Sequence, residues 1–357
     1  MFEQLPLDAH GFYYAVLSQS ISALKLNTYR DNFDAKRHNY DGIDRSNFFD
    51  VNSSALNFDW FFKNNENLYA AYVALDNESS KRLYLHLIAF RLGSHFCIRL
   101  PQSYLDDSRQ SLAYAEAERS VESHLEVSGM FGKLRHFDFE YKGLRYIADC
   151  TGGLEYYLLR GQYFYSEAGV VVRPEIGDFV IDGGACTGDT ALVFSNAVQH
   201  DGRVYAFDPV AEHLQIMHHN IQNFPVQNVI SMPYGLSDHD IAEPPLVLDK
   251  YNPGFSAKNQ AVPLRRIDTL VWEGIIERID FIKLDIEGSE MEALLGAAQS
   301  ILKFKPKMAL SIYHKQNDLF SIINYIKSTY KFYKLYLGHY SIHAEETVLY
   351  CDPGSAD

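Results

Sequence analysis

The chain has 357 residues, a length that suits two domains better than one, and its 47% hydrophobic content is enough to fill both cores. Its formal charge of −14 argues against nucleic acid or an anionic membrane as a partner, because both recruit basic patches.

The opening MFEQLPLDAH has no charged segment leading into an apolar run. No later stretch approaches the roughly 20 apolar residues of a membrane span, so a cytoplasmic protein is the expectation. Tyr14, Leu17, Ile21 and Leu24 follow the spacing of one helix face. Asp31 to Val51, rich in Asp, Asn and Arg, reads as a loop. Helices are predicted at about Asn67 to Leu75, at Ser79 to Leu92 with Ser79 or Ser80 as N-cap, and at roughly Asp107 to Val127. The second of these faces inward with Leu83, Leu87 and Phe90. HFDFEYKGLRYIAD then alternates around Lys142-Gly143, a hairpin signal, and the aromatic run from Glu155 to Tyr165 bridges the two halves. Cys97, Cys150, Cys186 and Cys351 are too scattered for a disulfide framework or a zinc knuckle and are expected to be free thiols.

From Pro174 onward the pattern changes. Phe179-Val180-Ile181 is a short apolar run, Asp182 ends it, Gly183-Gly184 turn the chain and Gly188 opens a helix. Strands are predicted at 178–182, 203–207, 227–232, 280–285 and 307–313, with helices between them. Two late strands, near Phe332 to Leu337 and Thr347 to Cys351, complete a doubly wound, mostly parallel seven-stranded sheet. The expected division is a mainly helical domain with a terminal hairpin at 1–150 and an α/β domain at 151–357.

A strand–glycine–helix turn suits an anionic or polar ligand, because the helix start presents unpaired N–H groups. The spacing Gly183-Gly184-x-x-x-Gly188 is not the G-x-G-x-x-G of a dinucleotide site, and no Lys-Ser or Lys-Thr pair follows as in a Walker loop. Asp182 would repel phosphates but accept hydrogen bonds from a cationic amino-acid group, such as that of S-adenosyl-L-methionine. Asp208 at the end of the second strand is placed to accept bonds from ribose hydroxyls. Gly235-Leu236-Ser237-Asp238 follows the third strand and should lie by the adenine.

The glycine turn resembles motif I of class I S-adenosylmethionine-dependent methyltransferases. RVYAFDP (Arg203 to Pro209), FIKLDIEGSEMEALLGA (Phe281 to Ala297), LSIYHK (Leu310 to Lys315) and ETVLYC (Glu346 to Cys351) resemble, in order, segments of the FkbM family of O-methyltransferases. The resemblance runs from Tyr163 to Pro353, with a weaker echo in YVALDNESSKRLYLHLIAFRL. One departure is Gly183-Gly184-Ala185-Cys186, where the family more often shows Ile-Gly-Ala-Asn.

The resemblance implies a methyltransferase acting on a hydroxyl of a sugar, glycan precursor or secondary metabolite, a Rossmann-like sheet behind a helical N-terminal domain, and S-adenosyl-L-methionine as cofactor. The cofactor set is Asp182, Gly183, Gly184, Ala185, Thr187, Gly188, Asp208, Pro209, Leu236, Ser237 and Asp285. His314 and Asp285 are the catalytic candidates, and Glu287, Tyr313 and Lys315 the acceptor-binding ones. Asp285 and Glu287 are also hard oxygen ligands compatible with a divalent cation, which the reading does not require. Tandem His218-His219 points two ways on a helix and reads as solvated, while Arg265 and Arg266 read as structural. The aromatic first half is expected to serve the acceptor site or a homodimer interface. The alternatives are an NAD-dependent sugar oxidoreductase and a catalytically silent methyltransferase-like interaction domain.

Overall fold

The computed structural model describes residues 4–25, 51–93, 120–127, 133–151, 154–167, 169–241, 262–341 and 344–354. Two compact units emerge: Met1–Asp107 with Ile312–Leu349, and Ser108–Ser311 with Tyr350–Asp357. They do not part at residue 150.

In the first unit, helices α1 (Ala9–Lys25), α2 (Val51–Lys63), α3 (Asn65–Ala74) and α4 (Glu78–Gly93) pack around aromatic side chains. α1 is apolar on more than one side, and the face it buries is Phe12, Val16 and Ser20; Tyr14 and Ile21, expected inside, are exposed. The Phe12 ring lies 5.2 Å from Tyr72 and 5.6 Å from Tyr69. α2 has no counterpart in the sequence expectation. The start of α4 is set by Asn77, not by Ser79 or Ser80: the Asn77 side chain accepts the Ser80 N–H at 2.9 Å. Leu87 and Phe90 are buried as expected, and Leu83 is half-buried. The Ser80 hydroxyl serves strand β13 (Lys334–His339) instead. It accepts the Leu337 N–H, and the Asp76 carboxylate accepts the Leu335 N–H, each at 2.8 Å. β13 ends the order of its sheet, and those contacts satisfy outward-facing N–H groups that an edge strand would leave open.

The second unit opens with an antiparallel sheet of β1 (Ser120–Glu122), β2 (Arg135–Tyr141) and β3 (Leu144–Cys150). The helix expected at roughly Asp107 to Val127 is not formed over 120–127, where Ser120–Glu122 pairs with β2; residues 107–119 and Cys97 lie outside the described residues, as does the loop expected at Asp31 to Val51 except for Val51, which opens α2. The hairpin is as expected. Lys142 (φ +51°) and Gly143 (φ +79°) make the tight two-residue turn that matches strand twist. Its apolar face, Phe137, Tyr146, Ala148 and Cys150, shares one core with Leu192 and Val193, which is why the hairpin belongs to this unit. Helix α5 (Leu154–Arg160) and the pair β4 (Tyr165–Glu167) and β5 (Val170–Val172) follow within the same unit.

The rest of the unit is built on β6 (Phe179–Gly183), β7 (Arg203–Phe207), β8 (Val229–Met232), β11 (Phe281–Leu284) and β12 (Lys307–Ser311), all parallel. With β13 and β14 (Thr347–Asp352) the seven strands hydrogen-bond in the order β13-β14-β12-β11-β6-β7-β8, the doubly wound sheet that alternating strands and helices require. β13 and β14 are joined by too short a connection to be anything but an antiparallel hairpin. The chain leaves β6 for β7 on one side, while β11 lies on its other side, so the β6–β11 boundary is the point where the strand order reverses. In such sheets that crevice, at the carboxyl ends, is where ligands sit.

Candidate functional site at the carboxyl edge of the parallel strands

β6 delivers Asp182 to its carboxyl end and then turns at Gly183-Gly184. Both Gly184 and Ala185 donate their N–H groups to the Phe207 carbonyl at 2.9 Å, which folds the turn back over β7. Gly184 has φ +77°, and a Cβ there would stand 1.9 Å from the Asp285 carbonyl oxygen. The glycine is thus demanded by the chain's own close packing, in addition to any ligand. Cys186 also adopts a left-handed conformation, φ +45°, where asparagine is the more tolerant residue. Gly188 (φ +88°) is the N-cap of helix α6 (Asp189–Val198). Asn220, on helix α7 (Ala211–Asn223), donates to the carbonyls of Thr187 and Asp149 at 2.8 Å, tying the turn to β3.

Asp182 is 0% exposed. The cationic group it meets belongs to the chain itself. In parallel register Asp182 stands directly opposite Lys283 on β11, and the ammonium lies 3.0 Å from Asp182 Oδ1 while Thr190 donates its hydroxyl to Oδ2 at 2.7 Å. Lys283 is 1% exposed and donates also to the carbonyls of Gly183 at 3.0 Å and Gly184 at 2.9 Å. The two carbonyls accept N–H groups of the ammonium, and the carboxylate lies at ion-pair distance from it. Burial pulls the Lys283 pKa down, but Asp182 and Asp285 outweigh it and hold the ammonium above its ordinary value. The expectation that Asp182 would offer itself to a ligand amino group is therefore corrected: its side chain is closed off. Asp189, at the first turn of α6, is also buried, and desolvation with the nearby Asp182 charge pushes its carboxyl up to about 6 despite Lys283.

Asp208 ends β7 in a different environment. Its Oδ2 accepts the Cys186 N–H at 3.0 Å, and its Oδ1 accepts the Val210 N–H at 2.9 Å and lies 3.1 Å from His213 Nδ1. Burial works against charge on His213, yet hydrogen bonding to Asp208 and Cys186 prevails and pushes its pKa up to about 10. The imidazolium thereby adds a positive charge beside the carboxylate expected to meet a ribose.

At the end of β11, Asp285 is half-buried and accepts the Tyr163 hydroxyl at 2.7 Å, while Gln162 donates to that same hydroxyl at 3.0 Å. Tyr163 also covers the Lys283 ammonium, 5.4 Å from its ring centroid. Glu287 is exposed with φ +58° and Gly288 has φ +96°, a tight left-handed pair. The acid that shapes this loop is Glu290, fully buried, which accepts the Ile286 N–H at 2.8 Å. Leu236, the last residue of β9 (Gly235–Leu236), and Ser237 just after it are buried, and β9 pairs with β10 (Leu264–Arg265); Pro209 is half-buried. Arg265 and Arg266 are structural as expected: Asp240 accepts Arg265 Nε at 3.1 Å and the Arg266 N–H at 2.9 Å.

Tyr313, His314 and Lys315 belong to the first unit, just past the carboxyl end of β12. The Tyr313 and His314 rings lie 4.1 Å apart, and the Lys315 N–H is held by Asp318 at 2.9 Å. Of the tandem histidines, His218 is exposed as expected, but His219 is half-buried. His219 lies 3.5 Å from Asp149 Oδ2, an oxygen that also sits 3.1 Å from His136 Nδ1.

Sequence reasoning missed Lys283, Tyr163, His213 and Glu290. Lys283 had a signal, a lone lysine inside the apolar strand FIKL, and Glu290 had one as the acid that opens the helix Glu290–Gly296. Nothing local marks Tyr163, which is 122 residues from the carboxylate it meets.

Residues 182–333 match the model of the methyltransferase FkbM domain. Among solved structures, the methyltransferase FkbM of Methylobacillus flagellatus KT is similar, with 20% identity and a TM-score of 0.53, over 82% of this chain and 60% of that one. The chain therefore spans three fifths of that relative's length. The fibrillarin of Aeropyrum pernix, solved with natively bound S-adenosyl-L-methionine, is 13% identical over 66% of this chain and 89% of its own, with a TM-score of 0.39. No curated protein matches the chain.

Proposed function

We propose that this chain, which carries a methyltransferase FkbM domain over residues 182–333, transfers the methyl group of S-adenosyl-L-methionine to a hydroxyl oxygen of a sugar, glycan precursor or secondary metabolite. The observation that carries the cofactor assignment is the donor set at the β6–β11 crevice. A glycine turn feeds a helix start, a carboxylate stands at the end of β7, and no lysine or arginine occurs between Gly183 and Gly188. The nearby cation, Lys283, is occupied by Asp182 and two carbonyls. That set fits a nucleoside carrying a zwitterionic amino acid and offers a pyrophosphate little, which disfavours the nicotinamide alternative.

When bound, S-adenosyl-L-methionine supplies a methyl group already activated on a sulfonium. The residues then have positioning and proton transfer left to do. Asp208 accepts the ribose hydroxyls, with His213 and the Cys186 N–H fixing its orientation. Gly183, Gly184, Ala185, Thr187 and Gly188 line the turn with backbone, Asp182 acting behind them. Pro209, Leu236 and Ser237 flank the base. Asp285, oriented by Tyr163, meets the cofactor or the attacking hydroxyl. His314 would take the hydroxyl proton of the acceptor as it receives the methyl group. Glu287, Tyr313 and Lys315 bind the acceptor.

Calorimetry with S-adenosylhomocysteine and NADH in parallel tests the reading: binding of the first alone is expected. Binding of NADH alone would replace it with the oxidoreductase, and binding of neither with the silent domain. With an acceptor in hand, His314→Ala is expected to lower kcat by about 10²–10⁴-fold while leaving cofactor affinity nearly unchanged.

A further inference from the structure

We infer that Lys283 is a positioning residue that locks the glycine turn and the end of β11 into one rigid edge of the cofactor crevice. The inference rests on the cofactor reading above but draws on different atoms. A lysine in the middle of a buried parallel strand is expensive to keep, and an ion pair there is seldom retained for stability alone, because well-packed apolar residues usually do as well. What an apolar pair lacks is directionality. The ammonium donates to two successive carbonyls of the turn, Gly183 and Gly184, at 3.0 and 2.9 Å, and contacts Asp182 at 3.0 Å. Those carbonyls are fixed in the orientation that turns the neighbouring N–H groups of Gly184 and Ala185 onto the Phe207 carbonyl.

The same ammonium lies under the Tyr163 ring, whose hydroxyl is bonded to Asp285. Asp285 in turn presents the carbonyl against which Gly184 packs with no space for a Cβ. A closed circuit results: Lys283 to Gly184 carbonyl, Gly184 against Asp285 backbone, Asp285 carboxylate to Tyr163, Tyr163 over Lys283. The cofactor-side and acceptor-side walls of the crevice therefore cannot shift independently, and an in-line methyl transfer depends on that registry.

The test separates positioning from stability. Lys283→Met alone leaves a buried carboxylate without its cation and is expected to unfold readily. The double variant Asp182→Asn with Lys283→Met buries no net charge, and Asn keeps an acceptor for Thr190. It is expected to recover a urea midpoint close to wild type. Affinity for S-adenosylhomocysteine should nonetheless fall roughly tenfold or more. Amide hydrogen exchange of the ligand-free double variant should rise several-fold in residues 183–188 while β7 and β8 keep wild-type protection. Recovery of both affinity and exchange to within about twofold of wild type would show a merely structural pair and overturn the inference. Should the wild-type protein not bind S-adenosylhomocysteine, the cofactor reading falls, and the exchange measurement alone then decides the clamp. If the neutral pair does not fold, Lys283→Arg takes its place. Its larger planar fork keeps the charge but cannot reproduce the ammonium's contacts with both carbonyls and the carboxylate, so raised exchange at 183–188 supports the clamp and wild-type exchange refutes it.

Discussion

Asp182 and Asp208 end adjacent parallel strands, and the sequence presents them alike, as an acid closing a short apolar run. Their surroundings differ. Asp182 is sealed between Lys283 and Thr190, whereas Asp208, also buried, is gripped by two backbone N–H groups and His213. The difference originates one strand away. β11 places Lys283 in register with Asp182, while β7 runs on to Asp208 two residues beyond Ala206, the residue paired with Asp182. An acid at a strand end is thus paired with a buried lysine or with backbone N–H groups and a histidine according to what its neighbouring elements bring alongside.

The sharpest way to break this contrast is Asp182→Ala, which leaves the Lys283 ammonium buried without its carboxylate. It is expected to lower stability by about 3–5 kcal/mol in urea unfolding. A loss below about 1 kcal/mol would mean that the ammonium finds solvent, and the sealed description of Asp182 would be wrong.

The counter-ion of Asp208 titrates within reach. The folded His213 pKa, about 10, is raised above the ordinary 6.5, so its contribution to stability is fully present below about 6.5 and is lost as pH rises through about 10. Wild type should therefore lose roughly 3–4 kcal/mol relative to His213→Gln between about pH 7 and pH 10. Parallel pH profiles for the two proteins would detach His213 from Asp208.

A smaller effect, again a loss of stability as pH rises but one that the substitution relieves, is expected at Asp189, which shares the Asp182 side of the contrast. Its folded pKa of about 6 lies above the ordinary 3.8, so the native state holds an extra proton between these values and stability falls as pH rises through that window. Asp189→Asn should remove that fall and add about 1 kcal/mol at neutral pH, the favourable helix-start charge it gives up offsetting part of the gain. A destabilised variant with the same pH profile as wild type would show that the carboxylate is stabilised in place.

Much of this site was legible beforehand for a physical reason: the seven strands, the turn and Asp208 follow from apolar runs, glycines and strand-end acids that are local in sequence. Tyr163, by contrast, reaches Asp285 across 122 residues, and His213 becomes a partner of Asp208 only because one helix turn brings it back over the strand end. The first unit shows the same limit. α1 offered two apolar faces, and the one bearing Phe12 was selected by Tyr69 and Tyr72 from α3, which no periodicity within α1 records.

The sequence by itself determined the alternation of strands and helices, the Lys142-Gly143 hairpin, the glycine turn after β6 and the FkbM resemblance, because each depends on residues within one element or one turn. Tertiary structure alone decided that Gly184 must lack a Cβ because of the Asp285 carbonyl, that Asp182 is spent on Lys283, and that Glu290 rather than Glu287 shapes the loop after β11. Those outcomes depend on which atoms the strand order and register bring within hydrogen-bonding distance, and register is a property of paired strands that neither strand carries alone.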